Sequence, residues 1–332
     1  MNGTVRWGLL STAKINAALI GPLQTAARSQ LAAVASRDHG KAAAYAAEHH
    51  IPKAFGSYED LLADPEIDAV YISLPNSMHA EWTIKAAQAG KHVLCEKPLV
   101  VSLAELDQVE AAAAKAGVTV FEAFMYLHHP QTRQALEMVR SGKLGRLQTI
   151  NSWFNFYLPP VQAHNVRLQA GLTGGAMWDV GVYPNSVSIV MAGRAPKAVW
   201  AQQEIGESGV DVGMRAQLDF GGGTVAQIST GFRTPFREGV YLVGDEGILN
   251  IVEPWKPGVK GTDSTMIFTA LDGKAETIVT PATDPYSCEV AAMEACVLDG
   301  AAPVVPLSLS RDFARSVLAV YESASTGKVV EL

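Results

Sequence analysis

Short apolar runs separated by helix-length stretches dominate the first third of the chain. Val5–Leu10, Leu31–Ala35, Ala69–Leu74, His92–Cys95 and Val118–Phe121 read as strands buried on both faces. Between them, Ala13 to about Ala27, Gly40–His49, His79–Ala89 and Ser102–Ala116 have helix-forming composition. Gly90 and Gly117 follow two of these segments and read as helix stops. Strands alternating with helices of this length predict βαβ units and a parallel, doubly wound sheet.

The pattern changes after about Ala123. A helix over Gln131–Ser141 leads to an alternating strand, Leu147–Tyr157. Asp211–Phe220, Thr224–Gly231 and Tyr241–Gly244 read as further strands, with turn signals at Phe220-Gly-Gly-Gly-Thr224 and Asp272-Gly273. Helices are expected at Glu289–Leu298 and Ser310–Ser325. The predicted architecture is an α/β dinucleotide-type domain over residues 1–123 and an α+β domain over 124–332. The second carries a large open, mostly antiparallel sheet, for substrate binding and oligomerisation. The terminal helices are expected to pack back on the first domain.

With 332 residues the chain suits two domains, and a charged fraction of 18% fits a globular protein. A net charge of −7 speaks against nucleic-acid binding. No apolar stretch reaches the ~18 residues of a membrane span, and Met1-Asn-Gly-Thr-Val-Arg6 has no signal-peptide character. Cys95, Cys288 and Cys296 lack metal spacing, so no metal site is expected and the expected location is the cytoplasm.

A first strand running directly into a helix predicts a Rossmann phosphate turn, yet the usual glycines are missing. The turn reads Ser11-Thr12-Ala13-Lys14-Ile15-Asn16, with Ser, Ala and Asn at the glycine places. Small side chains still admit a pyrophosphate, and a helix N-terminus still offers free N–H groups. An ordinary capped strand–helix turn has the same appearance. After the second strand, Ser36-Arg37 stands where an acid would take the ribose hydroxyls of NAD. A hydroxyl and a guanidinium suit a 2′-phosphate, so NADP(H) is expected over NAD(H). Neighbouring Asp38 argues the other way, and Arg37 could equally be a surface residue.

Lys97 lies at the carboxyl end of a strand, where open α/β sheets bind ligands. It belongs to an ordered set of motifs: Tyr71-Ile-Ser-Leu-Pro-Asn76 with His79, Glu96-Lys97-Pro98, Glu122-Ala-Phe-Met125 with His129-Pro130, and Gly174-Gly-Ala-Met-Trp-Asp-Val-Gly-Val-Tyr183-Pro184. Together these resemble the Gfo/Idh/MocA oxidoreductase family over nearly the whole chain. The similarity is strongest to its NADP-dependent pyranose, D-xylose 1-dehydrogenase and dimeric dihydrodiol dehydrogenase branch. The resemblance implies that Lys97 is a catalytic lysine near the nicotinamide. It also implies that Leu74, Pro75, Asn76, His79 and Glu96 line the nicotinamide ribose and the adjoining pocket. The Asp-x-x-x-His pattern of inositol dehydrogenases reads Asp179-Val-Gly-Val-Tyr183 here, matching the branch that uses tyrosine.

Oxidising an alcohol requires a base, and tyrosine is a poor one at a pKa of ~10. A nearby lysine cation favours phenolate, so Lys97 and Tyr183 form a candidate acid–base pair acting from different domains. If Gly175–Tyr183 is helical, Asp179 shares a face with Tyr183 and could bind a substrate hydroxyl or hold Lys97. It could also be a carboxylate favoured at a helix start. Phe154 and Phe156, in the aromatic strand Trp153–Tyr157, could face a sugar or simply fill the sheet core. Asn165 and Arg167 are candidate contacts to substrate hydroxyls or phosphate. The expected enzyme is an NADP-dependent, aldose 1-dehydrogenase-like oxidoreductase for sugars or polyols, working as a homodimer or higher homo-oligomer. The alternatives are a dihydrodiol dehydrogenase, a dicarbonyl or keto-sugar reductase, an NAD-dependent glycosidase and a non-catalytic nucleotide sensor.

Overall fold

The computed structural model describes residues 3–162 and 164–332; Met1 and Asn2, with which the leader-free reading begins, lie outside them. The chain divides into two compact units, one running to His128 and including Tyr286–Ser310, the other comprising His129–Pro285 and Arg311–Leu332.

The first unit alternates strand and helix: β1 (Val5–Leu10), α1 (Asn16–Thr25), β2 (Ser29–Ala35), α2 (His39–Glu48), β3 (Lys53–Phe55), α3 (Tyr58–Ala63), β4 (Ala69–Ile72), α4 (His79–Gln88), β5 (His92–Glu96), α5 (Leu103–Ala116), β6 (Val120–Ala123) and the short α6 (Met125–His128). All six strands are parallel in the order β3-β2-β1-β4-β5-β6. The chain therefore reverses direction of winding between β1 and β4, the place where such sheets bind nucleotides. Every residue of β4 and β6 is buried, as a sheet covered on both faces requires.

Local signals set the boundaries. Ser102 and Glu105 form a reciprocal capping box at the start of α5, and Gly117 ends it in the left-handed conformation. Because Val118 N–H returns to Ala113 O, β6 begins two residues later than its apolar run suggests. Leu74 lies outside β4, since the chain turns at Pro75, which has no N–H for the ladder. The segment carrying β3 and α3 leaves little mark in the sequence, because a three-residue, half-buried strand has no period to detect. The return helix α9 (Pro285–Asp299) is tied to this unit through Ser29 Oγ–Glu294 Oε1 (2.6 Å) and the Arg28–Asp299 ion pair.

The second unit contains α7 (Pro130–Arg140), β7 (Leu147–Tyr157), α8 (Val182–Ala192), β8 (Ala198–Ile205), β9 (Asp211–Gly221), β10 (Thr224–Gly231), β11 (Arg233–Gly244), β12 (Gly247–Ile251), β13 (Ser264–Ala270), β14 (Ala275–Thr280), most of α10 (Leu307–Thr326) and β15 (Val330–Glu331). They build a nine-stranded sheet, β14-β13-β12-β11-β7-β10-β9-β8-β15. The sheet is mostly antiparallel, as expected, but mixed, because β7 and β10 run parallel at its centre. α8 packs on β7 and β10 from one side. Trp200, Tyr241, Ile248 and Ile267 remain exposed. β11 is much longer than its apolar C-terminal half, since its other half includes Pro235, Arg237 and Glu238 and carries a bulge.

Candidate active site

In the first unit, the β1–α1 turn replaces glycines with a hydrogen-bonded knot. Ser11 takes φ +122°, a region that favours glycine. Its hydroxyl lies 2.8 Å from Ser73 Oγ and accepts the Ala13 N–H at 3.1 Å. Ser73 Oγ in turn donates to Asn16 Oδ1 (2.6 Å), and Asn16 Nδ2 donates to Ser11 O (2.8 Å). With Ser73 donating to Asn16, the Ser11 hydroxyl donates to Ser73, and each hydroxyl has a defined direction. Holding a serine here costs ~1–3 kcal/mol, against ~0.5–1.5 kcal/mol gained per hydrogen bond, so the knot offsets the strain. α1 starts at Asn16, three residues later than expected, because Ala13–Ile15 forms the turn. Ile15 at its N-cap provides no side-chain cap, and the N–H groups of Asn16, Ala17 and Ala18 return instead to the Ala13, Lys14 and Ile15 carbonyls. Thr12 and Ala13 are half-buried beside it and Lys14 is exposed.

After β2, Ser36 is buried and Arg37 is exposed beside the Tyr58 hydroxyl. Burial pushes the Tyr58 phenol up while Arg37 opposes it. Asp38 is the N-cap of α2, its carboxylate accepting Lys41 N–H at 3.1 Å. The acid that could have served a ribose diol is thus engaged at a helix start.

The Glu96-Lys97-Pro98 segment, with a cis Lys97–Pro98 peptide, is braced from three directions. His79 at the start of α4 is buried, with Nδ1 2.7 Å from Pro98 O and Nε2 2.7 Å from Leu74 O. A neutral imidazole donates to only one of the two carbonyls. Burial holds this ring below the ordinary histidine range; the carbonyls oppose that and the Lys97 charge adds to it. The buried Tyr71 hydroxyl donates to Glu96. Glu122, buried on β6, accepts the Leu99 N–H at 3.0 Å, and burial raises its carboxyl to about 7. Pro75 and Asn76 enter the short turn that precedes His79. The first unit therefore gathers Leu74, Pro75, Asn76, His79, Glu96 and Lys97 around one loop system.

In the second unit the Gly174-Gly175 turn is packed too tightly for any side chain. A Cβ on Gly174 would lie 2.5 Å from Arg167 O, and one on Gly175 2.1 Å from Asp211 Oδ1. Gly175 also takes φ +120°. Asp211, 2% exposed, accepts Met177 N–H (2.8 Å) and the Tyr321 hydroxyl (2.7 Å). Burial pushes the Asp211 carboxyl up despite these bonds, and Tyr321 rises well above its usual range. The helix that follows is not α-helical throughout: Met177–Gly181 is a π turn, and α8 begins only at Val182. Asp179 and Tyr183 therefore do not keep the simple i, i+4 relation expected of one α-helix.

Asp179 pairs with Arg167 at 2.5 Å. Asn165 caps the short turn Val166–Leu168 by accepting Arg167 N–H. Tyr183, 6% exposed, sits among aromatic rings, with centroids 5.5 Å from Phe154 and 5.6 Å from Trp255. Phe236 edges onto Phe154 at 6.2 Å. Phe156 instead packs on Phe232 at the hydrophobic core, with the Arg167 guanidinium 6.0 Å from its ring. Sequence reasoning misses Trp255, Asp211 and Tyr321. No local pattern marks them, because their contacts bridge 34 to 110 positions of chain.

A parallel 3-2-1-4-5-6 sheet with a nucleotide-type turn, followed by a mixed sheet with the buried Tyr183 on the helix packed against it, is the architecture of a two-domain, Rossmann-type oxidoreductase. The family model for the oxidoreductase family with NAD-binding Rossmann fold matches residues 5–124, and that for the GFO/IDH/MocA C-terminal domain matches 132–250. The chain belongs to the Gfo/Idh/MocA family of oxidoreductases. It is 39% identical over 326 residues to D-xylose 1-dehydrogenase (NADP(+)) 2 of Haloferax volcanii, covering 98% of this chain and 99% of that one. It is 32% identical to trans-1,2-dihydrobenzene-1,2-diol dehydrogenase of Xenopus tropicalis over 76% of this chain and 77% of the relative. The crystal structure of KijD10, a 3-ketoreductase from Actinomadura kijaniata in complex with NADP and TDP-benzene, superposes with a TM-score of 0.89. Its identity is 30%, covering 96% of this chain and 98% of that one.

Proposed function

We propose that this protein is an NADP-dependent oxidoreductase of the aldose 1-dehydrogenase type, interconverting a sugar or polyol-like alcohol and its carbonyl. The observation that carries this reading is the end-to-end similarity to the Haloferax D-xylose dehydrogenase, over both units at once. The positive dipole end of α1, with Ser11, Thr12, Ala13, Lys14 and Ile15 around it, is suited to the pyrophosphate. Ser36 and Arg37 suit a 2′-phosphate, and the capping role of Asp38 supports NADP(H) over NAD(H). When bound, the nicotinamide supplies a hydride acceptor or donor.

In this reading Tyr183 exchanges the hydroxyl proton of the substrate. Lys97 supplies a positive charge on the cofactor side, which favours phenolate. Asp179, oriented by Arg167, accepts a second substrate hydroxyl, and Phe154 offers a flat apolar face to the sugar C–H groups. The first unit handles cofactor, and the second handles substrate and oligomer contacts. The exposed Trp200, Tyr241, Ile248 and Ile267 support a homodimer formed through the sheet; light scattering at one chain mass would refute it. We place the enzyme in the cytoplasm; among the described residues no helix is long and apolar enough to cross a membrane.

The test is nicotinamide absorbance over a panel of aldoses, polyols and diols with NADP+ and NAD+. Turnover of an aldose with preference for NADP+ is expected. Turnover confined to aromatic dihydrodiols would favour the activity of the Xenopus relative instead. An NAD+ preference would remove the cofactor assignment.

A further inference from the structure

We propose that Glu238 is a specificity-determining residue that accepts a hydroxyl of a neutral sugar and excludes sugars carrying a negative charge. The inference rests on the sugar-oxidoreductase reading and names its substrate class.

Glu238 pairs in register with Phe154 across β11 and β7, so the two side chains project from the same face of the sheet. That face is the one on which Phe154 meets Tyr183. The Glu238 carboxylate accepts the backbone N–H of Trp255, whose ring lies 5.6 Å from Tyr183 and 6.0 Å from Phe154. Phe236, two residues along the same strand, is 64% exposed and edges onto Phe154. One patch of the second unit thus combines the rings of Phe154 and Phe236 and a carboxyl group, laid over the buried rings of Tyr183 and Trp255. Aromatic faces take the C–H side of a sugar, and a carboxylate takes its hydroxyls through a charge-assisted hydrogen bond.

The sign of the charge decides the class of sugar. Asp179 is neutralised by Arg167, whereas Glu238 lies beside a second carboxylate, Glu253. The cations near them, Lys256 and Lys260, are exposed, and Lys260 Nζ reaches Glu253 Oε1 only at 4.0 Å, the weak pairing of an exposed lysine. Burial, and then Glu253, raises the Glu238 carboxyl to about 7, so the group is a full carboxylate only above that pH. Above that pH a phosphate or sugar acid entering here meets like charge, while a free aldose or polyol meets an acceptor.

The test is calorimetric titration, at a pH well above 7, of the NADP+-loaded enzyme with neutral aldoses, their single-deoxy analogues and the matching sugar phosphates. Wild type should bind at least one neutral aldose and reject its phosphate. Glu238→Ala should weaken the neutral sugar by about 10- to 150-fold, the range of a hydrogen bond to a charged group. The deoxy analogue lacking the contacted hydroxyl should bind wild type and variant alike. Glu238→Gln, which keeps shape and an acceptor without the charge, should recover part of the neutral affinity and admit the phosphate. Unchanged NADP+ affinity and melting temperature show that both variants fold. Neutral-sugar affinity unaltered in both variants, or a wild type that binds phosphates as tightly as free sugars, overturns the proposal. Glu238-dependent sugar binding without nicotinamide turnover of any alcohol or carbonyl would instead sink the dehydrogenase reading and leave this one standing.

Discussion

Two turns in this chain take nearly the same rare backbone and are built from opposite residues. Ser11 sits at φ +122° and Gly175 at φ +120°. At Ser11 the side chain has room, and its hydroxyl joins Ala13 to Ser73 just beyond β4 while its carbonyl accepts from Asn16 at the start of α1. At Gly175 the Cβ position is already claimed by the carboxylate of Asp211. A left-handed backbone alone therefore does not demand glycine. What demands it is an atom standing where the side chain would start. Each turn also leads into a different element, the first into α1 and the second into the helix bearing Tyr183.

If the second turn serves chemistry and the first serves binding, lesions should separate cleanly. Tyr183→Phe should lower turnover by ~10²–10⁴ while NADP+ affinity holds. Lys97→Ala should be at least as severe. The double variant should be little worse than the worse single one if the two act as a unit. Full turnover in Tyr183→Phe would leave Asp179 or water as the proton carrier.

Gly175→Ala should reproduce the turnover defect and add a stability loss of about 2–5 kcal/mol from overlap and strain, read by denaturant melts. A stable, active Gly175→Ala protein would erase the contrast between the turns.

On the binding side, Arg37→Ala should weaken NADP+ by roughly 10- to 150-fold. NAD+ binding and turnover at saturating cofactor should stay near normal. Equal weakening of both cofactors would refute the 2′-phosphate role.

Each motif is also held by a buried carboxylate: Glu122 takes the N–H of Leu99, and Asp211 that of Met177. Glu122 keeps its proton to about 7 in the folded protein, above the ordinary 4.5. Folded protein then binds more protons than unfolded between those values, so this group lowers stability as pH rises through that window. Melts across pH should show that slope in wild type and lose it in Glu122→Gln.

The smallest effect should come from Ser11. Ser11→Ala keeps the strain and loses the hydroxyl bonds, costing ~1–2 kcal/mol. Ser11→Gly relieves the strain as it loses them and should be close to neutral.

Features that depend on near neighbours along the chain are legible in the amino-acid sequence alone. The strand Leu147–Tyr157 coincides with its alternating pattern, and Ser102 and Gly117 bound α5 as their chemistry dictates. The family motifs point to Lys97, Asp179 and Tyr183 in order. Features made by distant partners are not legible in this way. The β1–α1 turn looks degraded because Ser73, which completes it, lies 62 residues away from Ser11. Asp211 and Trp255 gain their places only when β7, β9 and β11 come together. Glu238 reads as a polar residue in an irregular stretch, because half of β11 is bulged and carries charge.

The π turn at Met177–Gly181 has one more consequence. Such a turn works as a one-residue insertion in the reading frame of a helix, displacing everything after it by about 100° around the axis. Deleting a single residue from it would yield a more regular helix with better local hydrogen bonding. It would also swing the Tyr183 ring away from Phe154 and Trp255. The irregular turn is therefore the index mark that aims the phenol, and repairing it would leave a sound helix pointing the wrong way.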